Sequence, residues 1–137
     1  ADRELLPKVV EEVLRLEAPA QGTYRIAVED VEVGGVTIPK GATLFLAYAS
    51  ANRDDSVFSD PDEIKFDRAS EGSHLAFGKG EHFCLGAALA RMEGRVGINA
   101  WLNRMSEISL DMDPGDVEYL PSFALRGITR LPLRFTV

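Results

Sequence analysis

The single cysteine of the chain, Cys84, sits in "FGKGEHFCLGAALAR", residues 77–91, and no other stretch constrains the molecule as tightly. Gly78, Gly80 and Gly86 surround it, and His82, one of two histidines, lies two positions before it. Glycine allows backbone conformations and close approaches that a Cβ forbids. The apolar periodicity that follows predicts a long helix from Leu85, with Leu85, Leu89, Met92, Val96 and Trp101 as its apolar stripe. Arg91, Glu93 and Arg95 fall largely off that stripe. The thiol is thus expected at a helix start, where free backbone N–H groups and the helix dipole favour an anion. A sulfur held this way serves as a nucleophile, a redox thiol or a metal ligand; a buried apolar cysteine is the alternative.

The surrounding residues narrow those choices. One cysteine cannot form an internal disulfide, so nothing points to a stapled, secreted scaffold. Cys84, His82 and His74 lack a second ligand pair at zinc spacing. A cysteine hydrolase takes its base histidine from elsewhere in the fold, whereas both histidines here lie within ten residues of the cysteine. A cysteine wrapped in glycine and lacking such partners fits an axial thiolate to haem iron.

The rest of the chain reads as α+β. Its 137 residues allow one domain with a core, and 45% hydrophobic against 27% charged residues is a globular balance. Leu6, Val9, Val10, Val13, Leu14 and Leu16 recur at helical spacing, with Pro7 suited to the first turn and Pro19 to the stop. Tyr24, Ile26 and Val28 alternate with Thr23, Arg25 and Ala27, which predicts a strand with Arg25 on the opposite face. "VGG" at 33–35 and "PKG" at 39–41 signal turns, and "ATLFLAYA" at 42–49 predicts a second, largely buried strand. Residues 52–73 form a long irregular stretch of the length that is usually functional. The tail predicts a turn and a final strand with Leu131, Leu133 and Phe135 on one face. No βαβ rhythm is present.

Charge bounds the partners. A net charge of −7, from 22 acidic and 15 basic residues, argues against nucleic acid or an anionic membrane. No apolar run approaches the ~20 residues that span a bilayer. The early charges and proline of "ADRELLPKVV" predict no signal peptide, and the expected location is cytoplasmic.

"FGKGEHFCLGAALAR" resembles the cysteine-loop signature of the haem-thiolate monooxygenases, the cytochromes P-450, in its bacterial form. A phenylalanine, spaced glycines, a basic residue before the cysteine, then "CLG" and "LAR" stand in register. "EEVLR" resembles the family's helical Glu-x-x-Arg element, and "ANRDDSVFSDPDEIKFDR" resembles the stretch that precedes its cysteine loop. These motifs cover most of residues 5–95, and the resemblance is to the C-terminal portion of the family's fold.

The resemblance implies haem b as cofactor, with Cys84 as the metal ligand and Phe77, Gly78, Leu85 and Gly86 around it. It implies that His82 and Arg25 bind the propionates, and that Arg91 lies near the propionate side or the redox-partner face, a solvated arginine being the alternative for Arg91. Glu12 and Arg15, three apart on a helix, can pair, and the resemblance joins them to Arg68 in a buried network bracing the cysteine loop. An exposed ion pair is the alternative. "APAQGT" and "PSFAL" resemble two substrate-facing loops, which gives Ala20, Thr23, Ser122 and Phe123. The implied parent reaction inserts one oxygen atom of O2 into a small organic substrate, with electrons from a ferredoxin or reductase. Residues 1–137 are then a single haem-ligating segment, inactive alone, whose Val9, Val13 and Leu16 are left bare. Self-association or a complementary N-terminal chain is expected. A non-catalytic, haem-free, self-associating module is the alternative reading.

Overall fold

The computed structural model describes residues 2–68 and 73–137. Helix α1 spans Leu6–Leu16, with Pro7 in its first turn, where the missing N–H costs no hydrogen bond. Strand β1, Gly22–Ile26, pairs antiparallel with β4, Thr43–Ala47, and the hairpin β2–β3, Val31–Val33 with Val36–Ile38, lies between them in the chain. Helix α2, Tyr48–Ala51, follows β4 directly. The long helix α3, Ala87–Arg104, leads into β5, Ser106–Leu110, which pairs antiparallel with β6, Leu133–Thr136. Among the described residues the three sheets are two-stranded and antiparallel, in keeping with the α+β reading.

The expected elements are present, with shifted bounds. The strand expected over 42–49 ends at Ala47, because Tyr48 and Ala49 turn into α2, and its residues are half-buried or exposed rather than buried. Val28 and Leu131 fall outside β1 and β6. The turn signal at 33–35 belongs to a hairpin whose short strands, with β5, carried no clear alternation. The irregular stretch is observed over residues 52–68 and at Ser73; residues 69–72 lie outside the described residues.

Helix α3 corrects two expectations. It begins at Ala87 rather than Leu85, so Cys84 precedes it by three residues. The face turned inward carries Ala87, Arg91, Gly94, Ile98 and Leu102, at helical spacing, whereas Leu89, Met92, Val96 and Trp101 are exposed. Arg91 is therefore on the packed stripe, not off it. A Cβ at Gly94 would meet the Val10 methyls of α1 at 3.5 Å, so the small residue lets the two helices approach. Close approach at Gly94, rather than the apolar stripe, marks this face.

The core is thin: Val10, Ala18, Ala27, Phe58, Ala76 and Ala87 are its buried apolar members among the described residues. Of the three residues expected bare on α1, Val13 is exposed, while Val9 and Leu16 are half-buried.

Candidate functional site

The cysteine loop is shaped by its backbone. Gly78 and Gly80 have φ of 70° and 80°, the left-handed region that a side chain resists. Around that turn the Cys84 N–H donates to the Phe77 carbonyl at 2.9 Å, and the Cys84 carbonyl accepts from Ala87 N–H at 3.2 Å. The Cys84 backbone is thus tied to the aromatic before it and to the first residue of α3. Gly86 differs from the other two: its φ of −83° is open to any residue. Its significance is proximity, since a Cβ there would lie 3.9 Å from Cys84 Sγ.

Cys84 is exposed and opens into a cavity of about 580 Å³, which Arg25, His82, Phe77 and Gly78 also line. Ala20 and Thr23 from the segment entering β1 complete part of the same wall. Seven of the residues singled out from sequence therefore meet at one place, although they span positions 20 to 84. Arg25 projects from β1 and is held by Tyr24 O at 2.8 Å and Thr23 Oγ1 at 3.3 Å, neither of which neutralises its charge. It also lines an adjoining cavity of about 440 Å³ together with Lys79.

Other expected residues lie apart from the cavity. Leu85 is fully exposed at the tip of the loop. Ser122 Oγ accepts the Leu125 N–H at 3.1 Å, a loop role. Phe123 stacks on Phe45 at 4.8 Å, and Phe45 on its cross-strand partner Tyr24 at 5.1 Å, forming an aromatic row next to β1.

Three wall residues, Gly22, Tyr48 and Ala76, escaped the sequence reading. Gly22 sits where a Cβ would come within 2.4 Å of Leu46 O and the Phe45 ring, so only glycine lets β1 and β4 close here. Tyr48, placed by α2, sets its hydroxyl 3.3 Å from where a Cβ on Gly78 would stand. The glycine in "APAQGT" was the available signal for the first; none existed for the second.

Glu12, Arg15 and Arg68 are joined in one cluster of largely buried side chains. Arg15 grips both Glu12 oxygens at 2.9 Å, and Arg68 Nε reaches Oε1 at 2.8 Å. Lys65 N–H donates to the same oxygen at 3.0 Å. Arg15 then donates to the carbonyls of Asn52, Pro61 and Glu63, and Arg68 to those of Ser59, Asp60 and Glu63. The two guanidiniums thus satisfy a bend that has no regular structure of its own. Burial pushes the Glu12 carboxyl up, but hydrogen bonds from Arg15, Arg68 and Lys65 outweigh it and hold the group at about 2.

A second cluster was not foreseen. Glu11 accepts from Arg91 Nε at 2.6 Å and Nη2 at 2.9 Å, and lies 3.1 Å from His74 Nε2. Arg91 stacks over the Phe77 ring at 4.6 Å. It does not line the cavity, and it is engaged by Glu11 and Phe77 rather than free in solvent.

The family model described as cytochrome P-450 matches residues 1–132. The chain is 46% identical over 133 residues to 6-deoxyerythronolide B hydroxylase of Saccharopolyspora erythraea, covering 97% of this chain and 33% of that protein. It superposes on the tirandamycin C-bound P-450 monooxygenase TamI with a TM-score of 0.94 at 45% identity, covering 98% of this chain and 34% of that one. It superposes likewise on P450BioI, solved with an acyl carrier protein carrying hexadec-9Z-enoic acid, with a TM-score of 0.92 at 41% identity, covering 98% and 34%. The chain spans about a third of the length of the relatives it matches. With its antiparallel hairpins, long helix and glycine-shaped cysteine loop, this chain belongs to the cytochrome P-450 family and has the fold of a portion of it.

Proposed function

We propose that this chain is the C-terminal, haem-ligating segment of a P-450 monooxygenase, with haem b as cofactor and the Cys84 thiolate as its iron ligand. The observation that carries the reading is the single cavity that gathers Cys84, His82, Arg25, Phe77 and Gly78. Its residues fit the group: an exposed thiol, two nitrogen donors able to carry positive charge, and an aromatic share one concavity of about 580 Å³. That lies within the roughly 300–1,000 Å³ of small-molecule and cofactor sites.

When bound, haem supplies dioxygen activation, with the thiolate's electron donation favouring O–O cleavage and one oxygen atom passing to an organic substrate. The chain's own residues prepare that site. The Phe77 carbonyl and Ala87 N–H hold the Cys84 backbone at both ends, which fixes the point from which the side chain leaves the loop. Arg25 and His82 supply donors for the propionates. Phe77 and Gly78 flank the sulfur, and Gly86 leaves space beside it. Ala20 and Thr23 on the wall, with Ser122 and Phe123 of the tail loop, are the substrate-facing candidates. Electrons from a ferredoxin or reductase, and a cytoplasmic location, belong to the same reading. The segment alone is not expected to turn over.

The test is the reduced carbon monoxide spectrum of the haem-reconstituted chain. A thiolate-type band is expected, and Cys84→Ala should abolish it. A band that persists in the variant, or never forms in the native chain, overturns the assignment.

A further inference from the structure

Glu11, His74 and Arg91 come from α1, from the segment before the cysteine loop and from α3. They make one contact set around that loop. His74 is buried, and its two ring nitrogens do different work. Nδ1 accepts the Ala76 N–H at 3.2 Å, so the ring proton sits on Nε2 and is directed at Glu11 Oε2, 3.1 Å away. Glu11 in turn holds Arg91 with two bonds. Arg91 Cζ lies over the Phe77 ring, 4.6 Å from its centroid, and the Phe77 carbonyl accepts the Cys84 N–H. Ala76 and Phe77 are thereby fixed from both sides, one by its backbone and one by its ring.

We propose that Glu11, His74 and Arg91 are positioning residues for Cys84, acting through Ala76 and Phe77, and that the arrangement requires His74 to be neutral. A protonated ring has donors on both nitrogens and cannot accept from Ala76 N–H. The charged groups facing His74 are Glu11 and Arg15 from α1 and Arg91 from α3. Burial and the two arginines favour the neutral ring, while Glu11 opposes them and the balance lies below the ordinary histidine value. As a device for orienting the iron ligand the proposal rests on the haem-thiolate reading; the contact set itself does not.

Amide exchange and nitrogen-resolved NMR on the 137-residue chain, without and with haem, test it. His74 should show the Nε2–H tautomer at neutral pH. On acidification through the His74 titration, protection of the Ala76 and Cys84 amides should fall by up to about tenfold per pH unit. The β2–β3 hairpin is the remote control and should not respond. His74→Asn, which keeps an acceptor but does not titrate, should retain protection at neutral pH and lose the pH step. Glu11→Gln should lower Cys84 protection about tenfold at every pH.

An Nδ1–H tautomer, or Cys84 protection that ignores both pH and Glu11→Gln, overturns the proposal. Should Glu11→Gln not fold, the native titration and His74→Asn still decide. The reduced carbon monoxide band separates the two readings. A normal band with flat protection defeats the positioning role alone, and the expected protection without a thiolate-type band defeats the haem reading alone.

Discussion

Asn52 Oδ1 accepts the Leu75 N–H at 2.6 Å, while the same side chain donates from Nδ2 to the Arg15 carbonyl at 3.1 Å. Asn52 is fully buried. It therefore couples the arginine network of α1 to the segment that turns into the cysteine loop, across 37 residues on one side and 23 on the other.

Removing Glu12 should be costly because it leaves two guanidiniums buried without their anion. Glu12→Ala is expected to lose about 3–5 kcal/mol, the cost of breaking a buried ion pair by deleting one partner. Asn52→Ala should lose about 1–3 kcal/mol, since Leu75 N–H and the Arg15 carbonyl lose their partner together. Urea denaturation measures both. A Glu12→Ala loss under about 1 kcal/mol would show that water replaces the carboxylate, as at a surface pair.

Acid should weaken the fold in a defined window. The folded Glu12 carboxyl lies at about 2 against 4.5 unfolded, so its contribution is fully present above pH 4.5 and is lost as pH falls toward 2. The shift corresponds to about 3 kcal/mol. His74 is also depressed, from 6.5, so the unfolded chain takes up its proton first and stability begins to decline below that pH. Denaturation at several pH values should show Glu12→Gln losing the lower step and keeping the upper one. An unchanged lower step in Glu12→Gln would assign it to other carboxylates.

Gly22→Ala should open the β1–β4 pair, because the new methyl meets the Leu46 carbonyl, which has no flexible end to move aside. A loss of about 1–3 kcal/mol is expected, in the range of overpacking. The accompanying change should appear in the cavity wall beside Thr23. Native stability in Gly22→Ala would mean the strands separate there at no cost.

The chain should associate. It exposes 9797 Å², whereas a compact monomer of 15.0 kDa exposes roughly 7,000 Å². Leu89, Met92, Val96 and Trp101 along α3, with Phe123 and Tyr24 of the aromatic row at β1, contribute to that excess. Sedimentation at low micromolar concentration is expected to show dimers or larger species, which give way to a one-to-one complex when a complementary chain is added. A stable, well-folded monomer alone would count against exposed apolar surface as the driving force.

Much of the site was legible because its signals are local. Cys84, the flanking glycines and His82 fall within nine residues, and glycine and cysteine carry their constraints wherever they occur. Glu12 and Arg15 share a helix face by spacing alone, and alternation on β1 set Arg25 apart from Tyr24 and Ile26. Tertiary structure decided what spacing could not. Which face of α3 turns inward depended on Gly94 fitting against Val10, a contact between helices more than 80 positions apart. Glu11 and His74 became partners only because α1, α3 and the cysteine loop converge, and nothing in either residue's neighbours announces a mate so distant. Periodicity reports which residues share a face; it does not report what that face meets, because the meeting is fixed by the shapes of both surfaces at once.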